Sequence, residues 1–229
     1  FDEIYFLGGQ SSVSESFKKR VETYDSQIQP LKNILDFITF QKNKKSKFLY
    51  AGSSELFGNI NKKKKIKVDS KKKPLSPYGM SKFISYEIIK SYRKMYKLPI
   101  CTAILFNHES HLRAEQFIFK KIVNNIKKIK INEDNKLKVG NINIKRDWGW
   151  APEYMRVCHK ILNSKKIDDY IIATGKTVSL KKIIILFFKK FNLDWKKYTI
   201  IDKSNFRNFE IKENYADISN IKKNINWKP

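Results

Sequence analysis

The sequence predicts an α/β fold: the later strands of a doubly wound parallel sheet, followed by a smaller mixed region. Three observations carry this. Short apolar runs at Ile4–Leu7, Lys47–Ala51 and Pro99–Phe106 each give way to glycine or polar residues, as buried strands do. Segments of helical periodicity, Glu15–Phe40 and about Tyr78–Tyr96, alternate with them like crossover helices. The third run is apolar on both faces, as a strand covered by helices on two sides must be.

Composition narrows the class. A chain of 229 residues, 41% hydrophobic and 14% aromatic, can bury a sizeable core and is not a disordered protein. Lys and Arg number 48 against 22 Asp and Glu, a formal charge of +26. A face built to read nucleic acid would gather its charge and use arginine. Here lysines are scattered through nearly every segment, as a lysine-, isoleucine- and asparagine-rich coding bias produces. Such a surface still attracts anions. Cys101 and Cys158 have no framework spacing, so buried free thiols in a reducing cytoplasm are expected. The longest apolar run, Ile183–Phe188, is far too short to span a bilayer.

Taken in order, Ile4–Leu7 ends in Gly8-Gly9, where the backbone must turn or let a ligand approach closely. Glu15–Phe40 carries an apolar stripe through Leu31, Ile34, Leu35 and Ile38. Lys47–Ala51 opens into Gly52-Ser53-Ser54, and the spacing of Ser53 and Glu55 puts both side chains on one side of an extended chain. Asn59–Lys73 is nearly all lysine and asparagine and reads as an exposed, solvated loop. The helix behind Pro74 and Pro77 turns Phe83, Ile84, Ile88, Tyr92 and Met95 to the sheet and ends at Leu98-Pro99. Tyr78 and Lys82 share a face of its first turn, and an ammonium near a phenol lowers the tyrosine pKa. A hydroxyl, a carboxylate, a phenol and an ammonium thus converge at one strand end and one helix start, which is an acid/base constellation.

Asn107–Ser110 lies at the carboxyl end of the Pro99–Phe106 strand, where open α/β sheets bind ligands. His108, Glu109 and His111 do not complete a tetrahedral ligand set, so no metal is expected. From Ala114 the organisation changes. A helix over Gln116–Ile129 has Ile118, Ile122, Val123, Ile126 and Ile129 on one stripe, flanked by Lys120 and Lys121. A short strand at Lys136–Gly140 precedes Arg146-Asp147-Trp148-Gly149, where an arginine steadied by its neighbours could grip a diphosphate or form a structural corner. Then come a helix at Glu153–Leu162, a strand at Tyr170–Thr174, a helix at Leu180–Phe191 capped by Ser179, and a last helix at Asp217–Asn224. No G-x-G-x-x-G or related glycine-rich turn occurs, so the unit that receives a cofactor pyrophosphate is expected to be missing with the first strands.

Several blocks carry a resemblance. Tyr78-Gly79-Met80-Ser81-Lys82 fits the Tyr-x-x-x-Lys pair of the short-chain dehydrogenase/reductase superfamily, and Ser53–Gly58 resembles its extended, nucleotide-sugar-dehydrating branch. Ile104–Ser110, Lys145–Gly149 and Ile171–Gly175 resemble the GDP-mannose 4,6-dehydratase family. The resemblance implies a partial Rossmann-like domain over residues 1–110. Residues 111–229 would form a small α/β nucleotide-sugar-binding region, with the strand 170–174 a candidate to return to the sheet. It also implies a lyase that converts GDP-mannose to GDP-4-keto-6-deoxymannose with bound NADP, cytoplasmic and homo-oligomeric (dimer or tetramer) when complete.

Residue by residue, the resemblance makes Ser53, Glu55, Tyr78 and Lys82 catalytic. It assigns Leu7, Gly8, Gly9, Gln10, Ser11, Tyr78, Lys82, His108 and Arg113 to the cofactor, and Ser12, Asn107, Lys121, Arg146, Arg207 and Glu210 to the substrate. Two departures stand out: Leu112 replaces a family arginine, and Asn208 replaces a proline. By the same resemblance the chain starts at the fourth strand, so as a fragment it is expected to be inactive and to bind NADP weakly. The alternatives are another nucleotide-sugar epimerase or dehydratase, an inactive truncated remnant, and a basic nucleic-acid-binding domain. Glu55 beside Ser53 argues for dehydration over epimerisation.

Overall fold

The computed structural model describes residues 1–41, 46–59, 64–206 and 209–229. Strand β1 (Glu3–Phe6) leads into helices α1 (Val13–Lys18) and α2 (Arg20–Phe40). The single helix expected over Glu15–Phe40 is therefore two. Lys19 leaves helical geometry at φ −116°, ψ 60°, yet its N–H still donates to Glu15 O and its carbonyl accepts from Thr23 N. The chain turns there without stranding a backbone group. Pro30 lies inside α2, and its ring nitrogen has no hydrogen to offer the carbonyl one turn earlier, that of Ser26.

Strand β2 (Lys47–Ser53) ends in a 3₁₀ turn (Ser54–Phe57), and α3 (Pro77–Tyr96) and β3 (Ile100–Leu105) follow. The chain continues through β4 (Asn107–Glu109), α4 (Ile118–Ile131), β5 (Leu137–Val139), β6 (Lys145–Arg146), β7 (Trp148–Trp150) and α5 (Ala151–Leu162). It closes with β8 (Tyr170–Ile172), β9 (Val178–Ser179), α6 (Leu180–Lys190), α7 (Trp195–Tyr198), β10 (Thr199–Ile201) and α8 (Ser219–Ile225). The main sheet is parallel throughout, in the order β1-β2-β3-β8. Period-two alternation along β2 explains its two coats. Phe48 and Tyr50 pack with Leu31, Leu35 and Ile38 of α2 and Ile89 of α3. Leu49 and Ala51 face the other way, toward Val157, Cys158 and Ile161 of α5 and Ile221 of α8. Cys101 and Cys158 are both free and buried.

A separate core holds the smaller region. Ile122, Ile126 and Ile129 of α4 meet Leu137 and Val139 of β5 and Ile184 and Phe188 of α6. Strand β5 pairs in parallel with β10, β4 with β7, and β6 runs antiparallel to β9. Ser179 caps α6, its Oγ accepting from Lys182 N at 3.2 Å. Among the described residues no helix is long and apolar enough to cross a membrane.

Two expectations are corrected here. The buried face of α3 is Tyr78, Ser81, Lys82, Ser85, Tyr86 and Ile89, while Phe83, Ile84, Ile88 and Tyr92 are half-buried and Met95 is 61% exposed. Phe83, Ile88 and Tyr92 still pack against the core from the edge of that face, so hydrophobicity alone finds its margin and misses its polar centre. The lysine-rich stretch is not wholly solvated either. Ile66 is 1% exposed and bridges Ala216, donating its N–H to Tyr215 O at 2.7 Å and accepting from Asp217 N at 2.8 Å.

The far end of α3 is fixed by an ion pair. Arg93 forks onto Asp169, Nη1 to Oδ1 at 2.9 Å and Nη2 to Oδ2 at 2.6 Å. Asp169, which directly precedes β8, also accepts the Thr102 N–H of β3 at 2.7 Å.

Candidate active site

The site forms where β2 ends and α3 begins. Ser53, the last residue of β2, is 8% exposed, and its Oγ accepts the Glu55 N–H at 3.2 Å, which starts the 3₁₀ turn. That turn carries Glu55 out of the extended chain to a half-buried position. Across from it, Ser76 caps α3, its Oγ accepting from Gly79 N at 3.0 Å, with Pro77 in the first turn where a missing N–H does no harm. Tyr78 follows at once and is 9% exposed.

Burial pushes the Tyr78 phenol up to about 12; a hydrogen bond with Ser53 pulls it down, Glu55 raises it, and Arg113 lowers it. These groups therefore feel one another around a single hydroxyl. Lys82, one turn on, holds its Nζ 5.7 Å from the Tyr78 ring centre and 4.6 Å from that of Tyr50. It is 4% exposed, and burial brings its pKa down to about 7. The expected acidification of Tyr78 by Lys82 is not the balance found here. Removal of the phenol from water dominates, and the Lys82 ammonium is directed at Ala51 O (2.8 Å) and Gln27 Oε1 (2.9 Å).

Gln27 is the residue sequence reasoning missed. It is fully buried on α2, accepts from both Lys82 and Tyr50 Oη (3.2 Å), and donates through Nε2 to Gln10 O at 2.7 Å. One side chain thereby joins the lysine to the loop after β1. The signal was an amide on the inner stripe Gln27, Leu31, Leu35, Ile38, where an apolar side chain is the norm. Gly9 answers the same packing: its φ is +97°, and a Cβ there would lie 2.6 Å from the Gln27 amide carbon and 2.9 Å from Ser26 O. Leu7, Gly8, Gly9 and Ser11 stay exposed. Gln10 and Ser12 bind each other, Ser12 N to Gln10 Oε1 at 2.5 Å and Gln10 Nε2 to Ser12 O at 2.8 Å. The Ser12 hydroxyl is engaged as the cap of α1, accepting from Glu15 N at 3.3 Å.

On the β3 side, Asn107 and His108 lie on β4. His108 shares its Nδ1 with Phe106 O at 2.8 Å and packs on Tyr154 with ring centres 5.3 Å apart; burial lowers its pKa. Arg113 has an internal partner that the sequence did not disclose. Its Nε lies 3.3 Å from Glu109 Oε2 and its guanidinium 3.5 Å from the centre of the Phe117 ring. Burial nonetheless raises the Glu109 carboxyl to about 7, against the pull of Arg113.

The remaining residues belong to the second region. Lys121 is half-buried on α4, and Glu210 offers its backbone carbonyl to Asn59 Nδ2 at 3.2 Å. Arg146 is 4% exposed on β6 and donates from Nη1 to Lys145 O at 2.9 Å. Asp147 makes the corner: its carboxylate accepts from Thr174 N (2.7 Å), Gly175 N (2.7 Å) and Lys176 N (3.2 Å). Arg207 lies outside the described residues.

Comparison with known proteins identifies the family. A family model described as GDP-mannose 4,6 dehydratase matches residues 1–229. GDP-mannose 4,6 dehydratase 1 of Arabidopsis thaliana is 35% identical over 231 residues, covering 100% of this chain and 63% of the relative. The Homo sapiens GDP-mannose 4,6 dehydratase is 31% identical over 245 residues, covering 99% of this chain and 66% of its own. The chain thus spans under two thirds of the length of these curated relatives. Among solved structures, a UDP-glucuronic acid 4-epimerase from Bacillus cereus superposes with a TM-score of 0.88 at 22% identity, covering 100% of this chain and 70% of that one. RMD from Pseudomonas aeruginosa, solved with NADPH, gives 0.86 at 19%, covering 100% of this chain and 76% of that one. The sheet, the site at its carboxyl edge and the match along every residue lead to one conclusion: the chain belongs to the GDP-mannose 4,6-dehydratase family.

Proposed function

We propose that these residues carry the acid/base half of a GDP-mannose 4,6-dehydratase, which converts GDP-mannose to GDP-4-keto-6-deoxymannose. The observation that carries the reading is the convergence of Ser53, Glu55 and Lys82 on the buried Tyr78. A nicotinamide dinucleotide, NADP on this reading, supplies the hydride acceptor and donor when bound. The residues present fit its nicotinamide-ribose end. Lys82 is a buried cation beside Tyr78, and the exposed Leu7–Ser11 loop is tied to it through Gln27. His108 and Arg113 border the same edge. Arg146 and Arg207 are assigned to the nucleotide diphosphate, Lys121 to the nucleotide, Glu210 to its ribose, and Ser12 and Asn107 to the sugar side of the substrate.

Each side chain then has a task. Tyr78 takes the proton of the sugar C4 hydroxyl. Lys82, at about 7 only partly charged at neutrality, draws the phenol down when protonated. Ser53 donates to the C4 oxygen as charge develops on it. Once C4 is a ketone, the C5 hydrogen becomes acidic; Glu55 removes it and the C6 hydroxyl departs as water. The domain division at 110/111, a cytoplasmic location and a homo-oligomeric complete enzyme belong to the same reading. Exposed Val21, Phe37 and Phe40 on α2 supply apolar surface for self-association.

The test joins the 229 residues to the remaining portion of the Arabidopsis relative and supplies GDP-mannose and NADP. Formation of the 4-keto-6-deoxy sugar, followed by the appearance of a C6 methyl signal in NMR, is expected, and Tyr78→Phe should abolish it with the fold intact. Near-normal turnover by that variant sinks the assignment. An epimerised product with no methyl group would select the epimerase alternative.

A further inference from the structure

Residues 64–73, which precede α3, form a basic segment, yet it is built rather than loose. Ile66 anchors it to residues 215–217 through an isolated bridge to Ala216, and Lys73 N donates to Leu56 O at 3.1 Å. Ahead of it, Asn59 holds the chain end, Oδ1 accepting from Lys212 N at 2.8 Å. Gly58, at φ +63°, is pressed against the Lys73 carbonyl, where a side chain would collide with backbone. Lys72 folds inward, Nζ donating to Val68 O at 2.8 Å and lying 4.7 Å from the centre of the Tyr86 ring. That lysine closes the loop from within. Its neighbours Lys64, Lys65, Lys67, Lys71 and Lys73 are exposed and surround a concavity of about 610 Å3 whose lining contains no carboxylate.

None of these five lysines has an ion-pair partner among the described residues. Solvated lysines on a flexible loop would spread apart under mutual repulsion. Here a backbone pinned at Ile66, Gly58 and Asn59 holds their stems around one hollow, so like charges share a low-dielectric wall and focus a positive field. Asp217 feels that field. Its carboxyl is held low chiefly by Ser219, with Lys67 and Lys65 adding to the effect. We propose that the hollow framed by Lys64, Lys65, Lys67, Lys71 and Lys73 binds an anion carrying several linked phosphates. The compact ammonium groups suit phosphate oxygens as point charges, without the planar pairing that arginine would impose.

With a chain this basic, the test must separate a site from bulk charge. Titrate the 229-residue protein calorimetrically with inorganic tripolyphosphate in about 0.1 M salt, where exposed charges beyond roughly 10 Å are screened. One saturable site is expected. The triple variant Lys64→Gln, Lys67→Gln, Lys71→Gln should weaken it by about tenfold or more. A charge-matched control, Lys189→Gln, Lys190→Gln, Lys196→Gln, should change it by less than about twofold. Both triples should keep the wild-type urea midpoint. A second titration with adenosine triphosphate tells free from nucleotide-borne phosphates: equal affinity assigns the phosphates alone, tighter binding the nucleotide. Equal weakening by the two triples, or no saturable binding by the parent, overturns the proposal.

Discussion

The Lys82 ammonium donates to the Gln27 amide oxygen at 2.9 Å, so the lysine of α3 is held by a side chain from α2, 55 residues earlier in the chain. The same amide serves Tyr50 and Gln10. Replacing it by leucine removes a shared partner from three buried or half-buried polar groups. A buried group left unpaired costs about 1–3 kcal/mol, so Gln27→Leu should lower stability by about that amount. The urea midpoint should fall with the denaturant slope unchanged. A shift too small to measure would show that water replaces the amide at no loss.

Stability should rise with pH above neutrality, because the folded-state pKa of Lys82 is depressed from its usual 10.5 to about 7. A depressed lysine leaves the folded chain with fewer bound protons than the unfolded one. The stability it contributes is fully present above about 10.5 and is lost as pH falls through about 7. Between pH 7 and 9 this linkage is worth on the order of 2 kcal/mol. Urea titrations at the two pH values measure it. Lys82→Met should flatten the rise, and an unchanged slope in that variant would assign the effect elsewhere.

Gly9→Ala tests the loop after β1. The substitution puts a Cβ into the Gln27 amide at a backbone φ of +97°, which L-residues avoid. A loss of about 1–3 kcal/mol is expected from strain of this kind. Combining it with Gln27→Ala should recover part of the loss, since the clash goes but the φ remains. Full additivity in that double-mutant cycle would show that the two residues do not meet.

Glu55→Gln should divide the proposed reaction. In D2O the parent activity, measured in the joined protein, should place deuterium at C5, because the base that removes the C5 hydrogen exchanges with solvent. The amide cannot take that proton, so exchange and loss of the C6 oxygen should both fail while C4 oxidation survives. Dehydration at a normal rate would point to another base.

Much of the frame was legible because it rests on short-range rules. The apolar run of β2 and the four-residue spacing of Tyr78 and Lys82 each specify geometry without long-range information. What escaped depends on neighbours distant in sequence. Lys19 looks like any helical lysine until its ψ of 60° breaks the helix. Ser81 and Ser85 carry no hydrophobic signal, yet both lie on the buried face of α3. Ile66 disappears in a run of lysines, though its pairing with Ala216 anchors the loop. Arg113 resembles a phosphate ligand in sequence, and only the fold reveals its pairing with Glu109. Asp147 reads as a companion for Arg146, and nothing in that reading discloses the three backbone N–H groups it gathers.

Helix α3 is a beam fixed at both ends: the Ser76 cap grips one, and the Arg93–Asp169 fork clamps the other to β3 and β8. Tyr78 and Arg93 stand fifteen residues apart, a span of about 22 Å at the rise of an α-helix. A beam held at one end pivots, and its free tip travels furthest. Loosening the fork would thus free the Arg93 end, while the phenol, beside the end that stays held, would move least. Damage at Arg93 would present itself as a looser junction of α3 with β3 and β8, and the reacting groups, close to the pivot, would be the last to register it.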